Sequence, residues 1–240
     1  MENVIKIPGK TFLFGEYLAT QGGESLIFTS EPLFELKAVK TASLNACPFH
    51  SESPAGKFYD QHKNALKGYQ LSFTNPYSLG GLGGSTAEFL SLYLLTKDLL
   101  GLPTLNNNDL VTFYQSLNSH HGTPPSGADL IAQYHAGLSY YNPIKQKQMS
   151  HAWPFKDLSL LLFHTKQKLA THEHLKLLNL THQASVLQPI AQKGYTAFKA
   201  KDTKAFSRAI QNYGKALEEL SLTADHTQKI LKHCLAMPEV

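Results

Sequence analysis

The sequence has almost no arginine. Among its 240 residues Arg208 is the only one, so lysine carries nearly all of the positive charge. Base recognition and bidentate phosphate contacts favour arginine in nucleic-acid-binding proteins, and a nucleic-acid partner is therefore disfavoured. The formal net charge of +4 instead favours a mildly basic protein that handles a small anionic molecule.

Cysteines and long apolar runs are also scarce. Cys47 and Cys234 are the two cysteines, and their spacing fits neither a zinc site nor a disulfide framework. No stretch is long and apolar enough to span a membrane. The N-terminus lacks a charged segment followed by an apolar run, so no signal peptide is predicted. We therefore expect a cytoplasmic protein with reduced thiols and no membrane partner.

Hydrophobic patterning predicts an α+β fold. Strands are predicted at residues 4–7, 11–14, 25–29, 33–39, 70–74, 138–141 and 158–164. Helices are predicted at residues 87–100, 106–117, 128–137, 171–182, 186–199, 202–220 and 223–236, with a loop over 41–60. Because the chain becomes nearly all helical after about residue 150, we predict two domains, 1–150 and 151–240. The first is expected to hold a mixed sheet and the second to be mostly helical.

A glycine loop precedes the first of these helices. Gly81-Leu82-Gly83-Gly84 runs into Ser85 and Thr86, either of which is a suitable N-cap. Glycines let backbone N–H groups approach a phosphate, and a helix N-terminus adds partial positive charge. The Lys of a Walker A motif is missing. Taken alone, the segment is equally well explained as a flexible turn.

Two further segments place a charge at a defined backbone position. In Pro8-Gly9-Lys10 a lysine follows a predicted strand and turn, and in Ser126-Gly127-Ala128-Asp129 a carboxylate lies on the first turn of a predicted helix. Such a carboxylate is favoured by the helix dipole and can orient a hydroxyl or accept its proton. A solvated lysine and a helix-capping aspartate are the alternative interpretations.

Together, and in their order along the chain, the three segments resemble the motifs of the GHMP kinase superfamily, and those of mevalonate kinase and phosphomevalonate kinase in particular. The first motif, Pro-Gly-Lys with an apolar run and Gly-Glu-Tyr, corresponds to residues 8–17. The second corresponds to residues 81–86 and the third, Ser-Gly-x-Asp, to residues 126–129. The resemblance implies a two-domain GHMP kinase-like fold that uses ATP and Mg²⁺.

The resemblance also implies a role for each site residue. Lys10 and Asp129 would be catalytic: Lys10 would activate the acceptor oxygen and neutralise the transferring phosphate, and Asp129 would orient the acceptor or take its proton. The remaining implied contacts are to the nucleotide from Gly81, Gly83, Gly84, Ser85 and Thr86, to Mg²⁺ from Ser85, and to the acceptor from Glu16, Tyr17, Ser126 and Gly127.

The sequence departs from the family pattern at several points. Tyr17 replaces the histidine usual in mevalonate kinases, which favours a phosphomevalonate kinase-like acceptor site, and Gly84 replaces the first serine of the second motif. Asn118 stands where mevalonate kinases have a Mg²⁺-binding glutamate. A further glycine-rich loop, which the family has in its second domain, is absent, so we expect an incomplete C-terminal domain in which the strand at 158–164 has an unpaired edge.

The predicted function is ATP-dependent phosphoryl transfer to mevalonate or phosphomevalonate, small molecules of the isoprenoid pathway. A sugar acceptor is disfavoured because Tyr17-Leu18-Ala19 replaces the continuation found in sugar kinases. Two alternatives stay open: a weakly active or non-catalytic nucleotide-binding protein with this fold, and an enzyme similar to mevalonate diphosphate decarboxylase.

Overall fold

Strands and helices are both well represented, which confirms the predicted α+β class. The computed structural model describes residues 2–42, 46–77, 82–118, 124–163 and 180–235. The strands are β1 (Glu2–Phe14), β2 (Ser25–Lys40), β3 (Tyr69–Thr74), β4 (Leu138–Asn142) and β5 (Lys147–His151). The helices are α1 (Pro54–Leu66), α2 (Gly84–Leu100), α3 (Asn107–Leu117), α4 (Ala128–His135), α5 (Leu180–Ala200), α6 (Thr203–Glu219) and α7 (Asp225–Leu235).

The long strand β2 organises the sheet. It pairs with β1 along one side, while on its other side the first part pairs with β4 and the last part with β3. A hairpin then adds β5 to β4. Every one of these pairings is antiparallel, so the prediction of a mixed sheet is wrong for the described strands. A parallel pair needs a long crossover connection, whereas β4 and β5 are joined by a short turn.

Strand β1 passes straight through Pro8 and Gly9, where the sequence predicted a turn. Its pairing with β2 shifts register between Ile7 and Gly9, as at a β-bulge. Proline cannot donate a ladder hydrogen bond, and a bulge is one of the positions where a strand tolerates it. Beyond the irregularity Lys10 pairs with Thr29, so the lysine lies on a hydrogen-bonded strand rather than in a loop.

The helix starts show what local sequence rules do and do not capture. Helix α1 begins inside the predicted loop over 41–60, where the Ser53 side chain accepts a hydrogen bond from Gly56 N and Pro54 opens the helix. Proline favours the first helical position, so its presence here marked a helix start. Asn106, at the start of the helix predicted over 106–117, caps α3. Helix α2 is capped by Gly83, not by Ser85 or Thr86.

The predicted strand at 158–164 is wrong over residues 158–163, which form neither strand nor helix, and residue 164 lies outside the described ranges. In that segment Leu161 is 80% exposed. The polar segment Lys147–His151 is a strand instead, because it has β4 as a partner. The last three predicted helices correspond to α5, α6 and α7, whereas the one at 171–182 lies mostly outside the described ranges.

The sheet separates two hydrophobic clusters. Adjacent residues of β2 point to opposite faces, so Ile27 joins the cluster beneath α1–α4, and Leu26 joins the cluster beneath α5 and α6. The second cluster contains both Phe14 of β1 and Phe206 of α6, so residues from before and after position 150 pack together. The boundary between 1–150 and 151–240 remains a prediction. In the described part of the chain, no helix has the length and apolarity needed to span a bilayer.

Candidate active site

Lys10 is held in a defined position at the centre of the candidate site. Its Nζ lies 2.9 Å from Asp129 Oδ2 and 4.5 Å from the centroid of the Phe12 ring. The side chain is 13% exposed, so most of it is covered by its neighbours. The first and third motifs therefore meet at one ion pair.

Asp129 owes its position to the way α4 begins. Gly127 is the N-cap with a φ of 77°, and Ser126 Oγ accepts a hydrogen bond from Ala128 N at 3.3 Å. A Cβ at position 127 would come within 2.6 Å of the buried Val111 side chain. The structure thus gives Ser126 and Gly127 a local role in starting the helix, and their predicted contact with an acceptor remains a prediction.

The glycine turn lies directly against Lys10. Lys10 N donates to the carbonyl oxygen of Leu82 at 3.0 Å, and Gly83, with a φ of 88°, caps α2. A Cβ on Gly83 would lie 2.9 Å from Lys10 Cγ, whereas one on Gly84 would meet nothing closer than 3.7 Å. The N-terminus of α2 therefore lies beside the Lys10–Asp129 pair, and the N–H groups of a first helical turn have no partner within their own helix, an arrangement that suits an anion.

The other residues predicted to bind nucleotide differ in exposure. Ser85 is exposed on the first turn of α2, where its hydroxyl can reach a ligand. Thr86 is buried, and its hydroxyl lies near the Gly83 carbonyl oxygen at 2.9 Å and near Gln133 Oε1. Gly81 lies outside the described residues.

Solved structures that share this architecture include three small-molecule kinases and a mevalonate diphosphate decarboxylase from Legionella pneumophila. Streptococcus pneumoniae phosphomevalonate kinase, solved with phosphomevalonate and AMPPNP, has a TM-score of 0.68 at 14% identity, over 91% of this chain and 80% of that one. L. major mevalonate kinase in complex with R-mevalonate has a TM-score of 0.67 at 17% identity, over 97% of this chain and 80% of that one. Lactococcus lactis galactokinase complexed with galactose has a TM-score of 0.64 at 14% identity, over 91% of this chain and 75% of that one.

The fold is that of the GHMP kinases. No family model matches the sequence, and no curated protein matches it. The similarity therefore lies in the three-dimensional structure. Because a galactokinase fits nearly as well as the two mevalonate-pathway kinases, the fold alone does not distinguish the acceptor.

Glu16 and Tyr17 follow β1, at the junction of the GHMP sheet with the C-terminal helices. The Tyr17 hydroxyl donates to the Leu222 carbonyl oxygen at 3.2 Å, and Tyr17 packs against the second cluster. Burial, with smaller contributions from Glu16 and Tyr213, raises the pKa of Tyr17. Tyr17 thus fastens the end of β1 to the helices, while Glu16 is exposed. Their predicted contacts with an acceptor remain predictions.

The sequence analysis missed two buried polar residues of the site. Gln133 lies one turn after Asp129 on α4 and contacts both Pro8 and Thr86. An amide four residues after Asp129, on the same face of a short helix, was the signal in the sequence that could have indicated a further site residue.

The second is Tyr114 on α3. Burial and the Asp129 carboxylate raise the pKa of Tyr114, and hydrogen bonds with Ser85 and Asn118 oppose the shift. Tyr114 therefore interacts with Ser85 of the second motif and with Asp129 of the third. No pattern in the sequence distinguished it from the other apolar positions of α3.

The oxygen donors present fit a magnesium ion that arrives with nucleotide phosphates. Mg²⁺ is usually held by one or two carboxylates together with substrate phosphates and water. Asp129 of α4 supplies a carboxylate, and the exposed residue Ser85 of α2 supplies a hydroxyl. Asn118 directs its amide Nδ2 to the Tyr114 carbonyl oxygen at 2.8 Å and brings no charge. The described residues include no group of three or more His, Cys, Asp or Glu side chains suited to hold a metal ion.

A separate apolar cavity of about 610 Å³ lies between α1, α2 and α3. Its lining includes Phe58, Tyr93, Phe113 and Thr96, the last with a buried hydroxyl that has no hydrogen-bond partner. At about 1.5 Å rise per helical residue, Thr96 is about 18 Å along α2 from the glycine turn. The cavity is therefore not part of the site around Lys10.

Proposed function

We propose that this protein is an ATP-dependent small-molecule kinase that phosphorylates mevalonate or phosphomevalonate. The observation that carries the proposal is the 2.9 Å contact between Lys10 Nζ and Asp129 Oδ2 beside the glycine-capped start of α2. An ammonium group, a carboxylate and a helix N-terminus at one point are what phosphoryl transfer to a bound acceptor requires.

Each group has a distinct task in the proposed reaction. The backbone N–H groups at Gly83 and Gly84, together with the Ser85 hydroxyl, bind the phosphates of ATP, and Lys10 neutralises the γ-phosphoryl group and the acceptor oxygen. A bond forms between the acceptor oxygen and the γ-phosphorus while the bond from that phosphorus to the leaving ADP oxygen breaks. Bound Mg²⁺ would supply further charge neutralisation on the phosphates.

The acceptor decides what Asp129 must do. When the acceptor is a hydroxyl, as in mevalonate, its proton has to leave, and Asp129 is the carboxylate placed to receive it. When the acceptor is a phosphate oxygen, as in phosphomevalonate, the attacking oxygen is already ionised and Asp129 serves chiefly to hold Lys10. The proposal for either acceptor is supported by the two mevalonate-pathway kinases with the same fold, one bound to R-mevalonate and the other to phosphomevalonate.

The test is ADP release measured with mevalonate, phosphomevalonate, diphosphomevalonate and galactose as acceptors. For the substrate that is turned over, Lys10→Met should lower kcat by about 10²–10³-fold, since a charge that stabilises the transition state is lost. Lys6→Met is the matched control, because Lys6 lies on the same strand and its side chain, 57% exposed, forms an ion pair with Glu35 at 3.5 Å. The control should keep its activity.

Asp129→Asn then distinguishes the two acceptors. With a hydroxyl acceptor, Asp129→Asn should lower kcat by about 10²–10⁴-fold, as expected for the loss of a general base. With a phosphate acceptor, the decrease in kcat should be far smaller. Nucleotide binding without ADP release from any acceptor would overturn the kinase proposal in favour of a binding protein. ADP release with diphosphomevalonate and with none of the other three acceptors would favour the decarboxylase-like alternative.

A further inference from the structure

Gln133 joins all three motifs through one buried amide. It is 2% exposed on α4, one turn after Asp129. Its Nε2 donates to the Pro8 carbonyl oxygen at 2.7 Å, and its Oε1 accepts from the Thr86 hydroxyl. The side chain thus links the strand just before Lys10, the first turn of α2 and the helix that carries Asp129.

The orientation of this amide is fixed by its partners. A proline carbonyl oxygen can only accept, so the NH₂ group must face Pro8 and the amide oxygen must face Thr86. The Thr86 hydroxyl has a single proton, which it can donate to Gln133 Oε1 or to the Gly83 carbonyl oxygen. The latter lies 2.9 Å from Thr86 Oγ1. Reversing the amide would set two oxygens against each other at Pro8, so the link has one stable form.

The link is also in contact with the groups it would align. The open side of Gly83 faces both Lys10 and Gln133: a Cβ placed there would lie 2.8 Å from Gln133 Nε2 and 2.9 Å from Lys10 Cγ. The stem of Lys10 and the Gln133 amide therefore lie side by side against Gly83. Any loosening of that amide changes the space in which the Lys10 side chain is held.

We infer that Gln133 is a positioning residue that keeps the Lys10 ammonium in register with Asp129 and with the glycine turn. The inference rests on the proposed kinase function, because it assigns Gln133 a task within that site. Gln133 touches no reacting atom, and it acts only by fixing Pro8 and Thr86. Misplacing a catalytic group by about 1 Å can cost about 10²-fold in rate, so such a link has a measurable effect on catalysis.

The test replaces Gln133 by methionine, which has similar length and no amide. Gln183→Met is the matched control, because Gln183 is 6% exposed on α5 and its Oε1 has no hydrogen-bond partner. In Gln133→Met we expect kcat to fall by about 10–100-fold. The KM for ATP should change much less, since the N–H groups of α2 remain. Gln183→Met should leave both constants unchanged.

A second measurement does not depend on activity. The protein is treated briefly with a lysine-acetylating reagent, and the acetylation of individual lysines is followed by mass spectrometry. Lys10 should react several-fold faster in Gln133→Met than in the parent protein. Lys57, which has a 4.0 Å contact with Glu52 far from Gln133 in sequence, should react at the same rate in both and reports global unfolding.

The outcomes separate this inference from the proposed function. Faster acetylation of Lys10 alone, together with a lower kcat, supports the positioning role. If Lys10 becomes more reactive but the parent protein phosphorylates no acceptor, the positional link stands and the kinase proposal fails. Unchanged Lys10 reactivity, or unchanged kcat in an active enzyme, overturns the inference. Gln133→Asn, whose shorter amide cannot span both partners, is the second variant, and failure of both variants to fold would show a purely structural role.

Discussion

Two helical glycines provide a sharp test of the packing between the sheet and the C-terminal helices. Gly194 of α5 and Gly214 of α6 both lie inside helices, where alanine is favoured over glycine by about 1 kcal/mol. A Cβ on Gly214 would meet nothing within 4 Å, whereas one on Gly194 would lie 2.3 Å from Cζ of Phe14. The same substitution should therefore have opposite effects at the two positions.

The magnitude at Gly194 follows from how tightly Phe14 is held. Phe14 is 1% exposed, and its ring centroid lies 5.8 Å from that of Phe206 and 5.4 Å from that of Tyr213. The ring is buried against two other aromatic rings, and overpacking at such a position costs about 1–3 kcal/mol or more. After the gain in helix propensity, we expect Gly194→Ala to lower the free energy of unfolding by up to about 2 kcal/mol.

The assay is urea unfolding followed by circular dichroism. Gly214→Ala should raise the free energy of unfolding by about 0.5–1 kcal/mol. Combining Gly194→Ala with Phe14→Leu should cost less than the sum of the two single changes, because the smaller side chain removes the clash. Equal stabilisation by Gly194→Ala and Gly214→Ala would refute the reasoning, since it would mean that α5 does not press on β1.

Three further predictions concern single interactions. Tyr213→Phe removes the hydroxyl that accepts from Gly15 N at 3.0 Å in a buried position, so it should cost about 1–3 kcal/mol in the free energy of unfolding. Asn106→Ala removes the side-chain cap of α3, which accepts from two backbone N–H groups at 3.0 Å, and should cost about 1 kcal/mol in the same unfolding assay. Burial, assisted by Lys199, lowers the pKa of His151 below its ordinary 6.5, so the stability that neutral His151 confers is fully present above pH 6.5 and is lost as the pH falls towards the folded-state pKa. His151→Gln should therefore flatten the dependence of the unfolding midpoint on pH in that window, and an unchanged dependence would contradict the assignment.

Local sequence determined the parts of the site that depend on a few neighbouring residues. The glycine turn before α2, the carboxylate of Asp129 on the first turn of α4 and the cap at Asn106 all follow from backbone conformation and capping. These preferences act within about one helical turn, so they can be read from the sequence without knowledge of the fold.

Strands were less predictable, because a strand exists only where a partner pairs with it. The polar segment Lys147–His151 became β5 because β4 lies beside it, while the apolar residues 158–163 have no pairing in the described structure. The predicted turn at Pro8-Gly9 became a bulge for the same reason, since β2 continues along its side. Pairing is a tertiary property, and local hydrophobicity records it only in part.

Only the tertiary structure decided how the charged groups meet. The ion pair between Lys10 and Asp129, and the amide of Gln133 that links Pro8 to Thr86, join segments far apart in the sequence. The residue types at the three motifs indicated which chemistry was available. The distances that make this chemistry possible depend on β1, α2 and α4 packing around one cluster, because contacts between distant segments are fixed by the shared core and not by the local preferences of each segment.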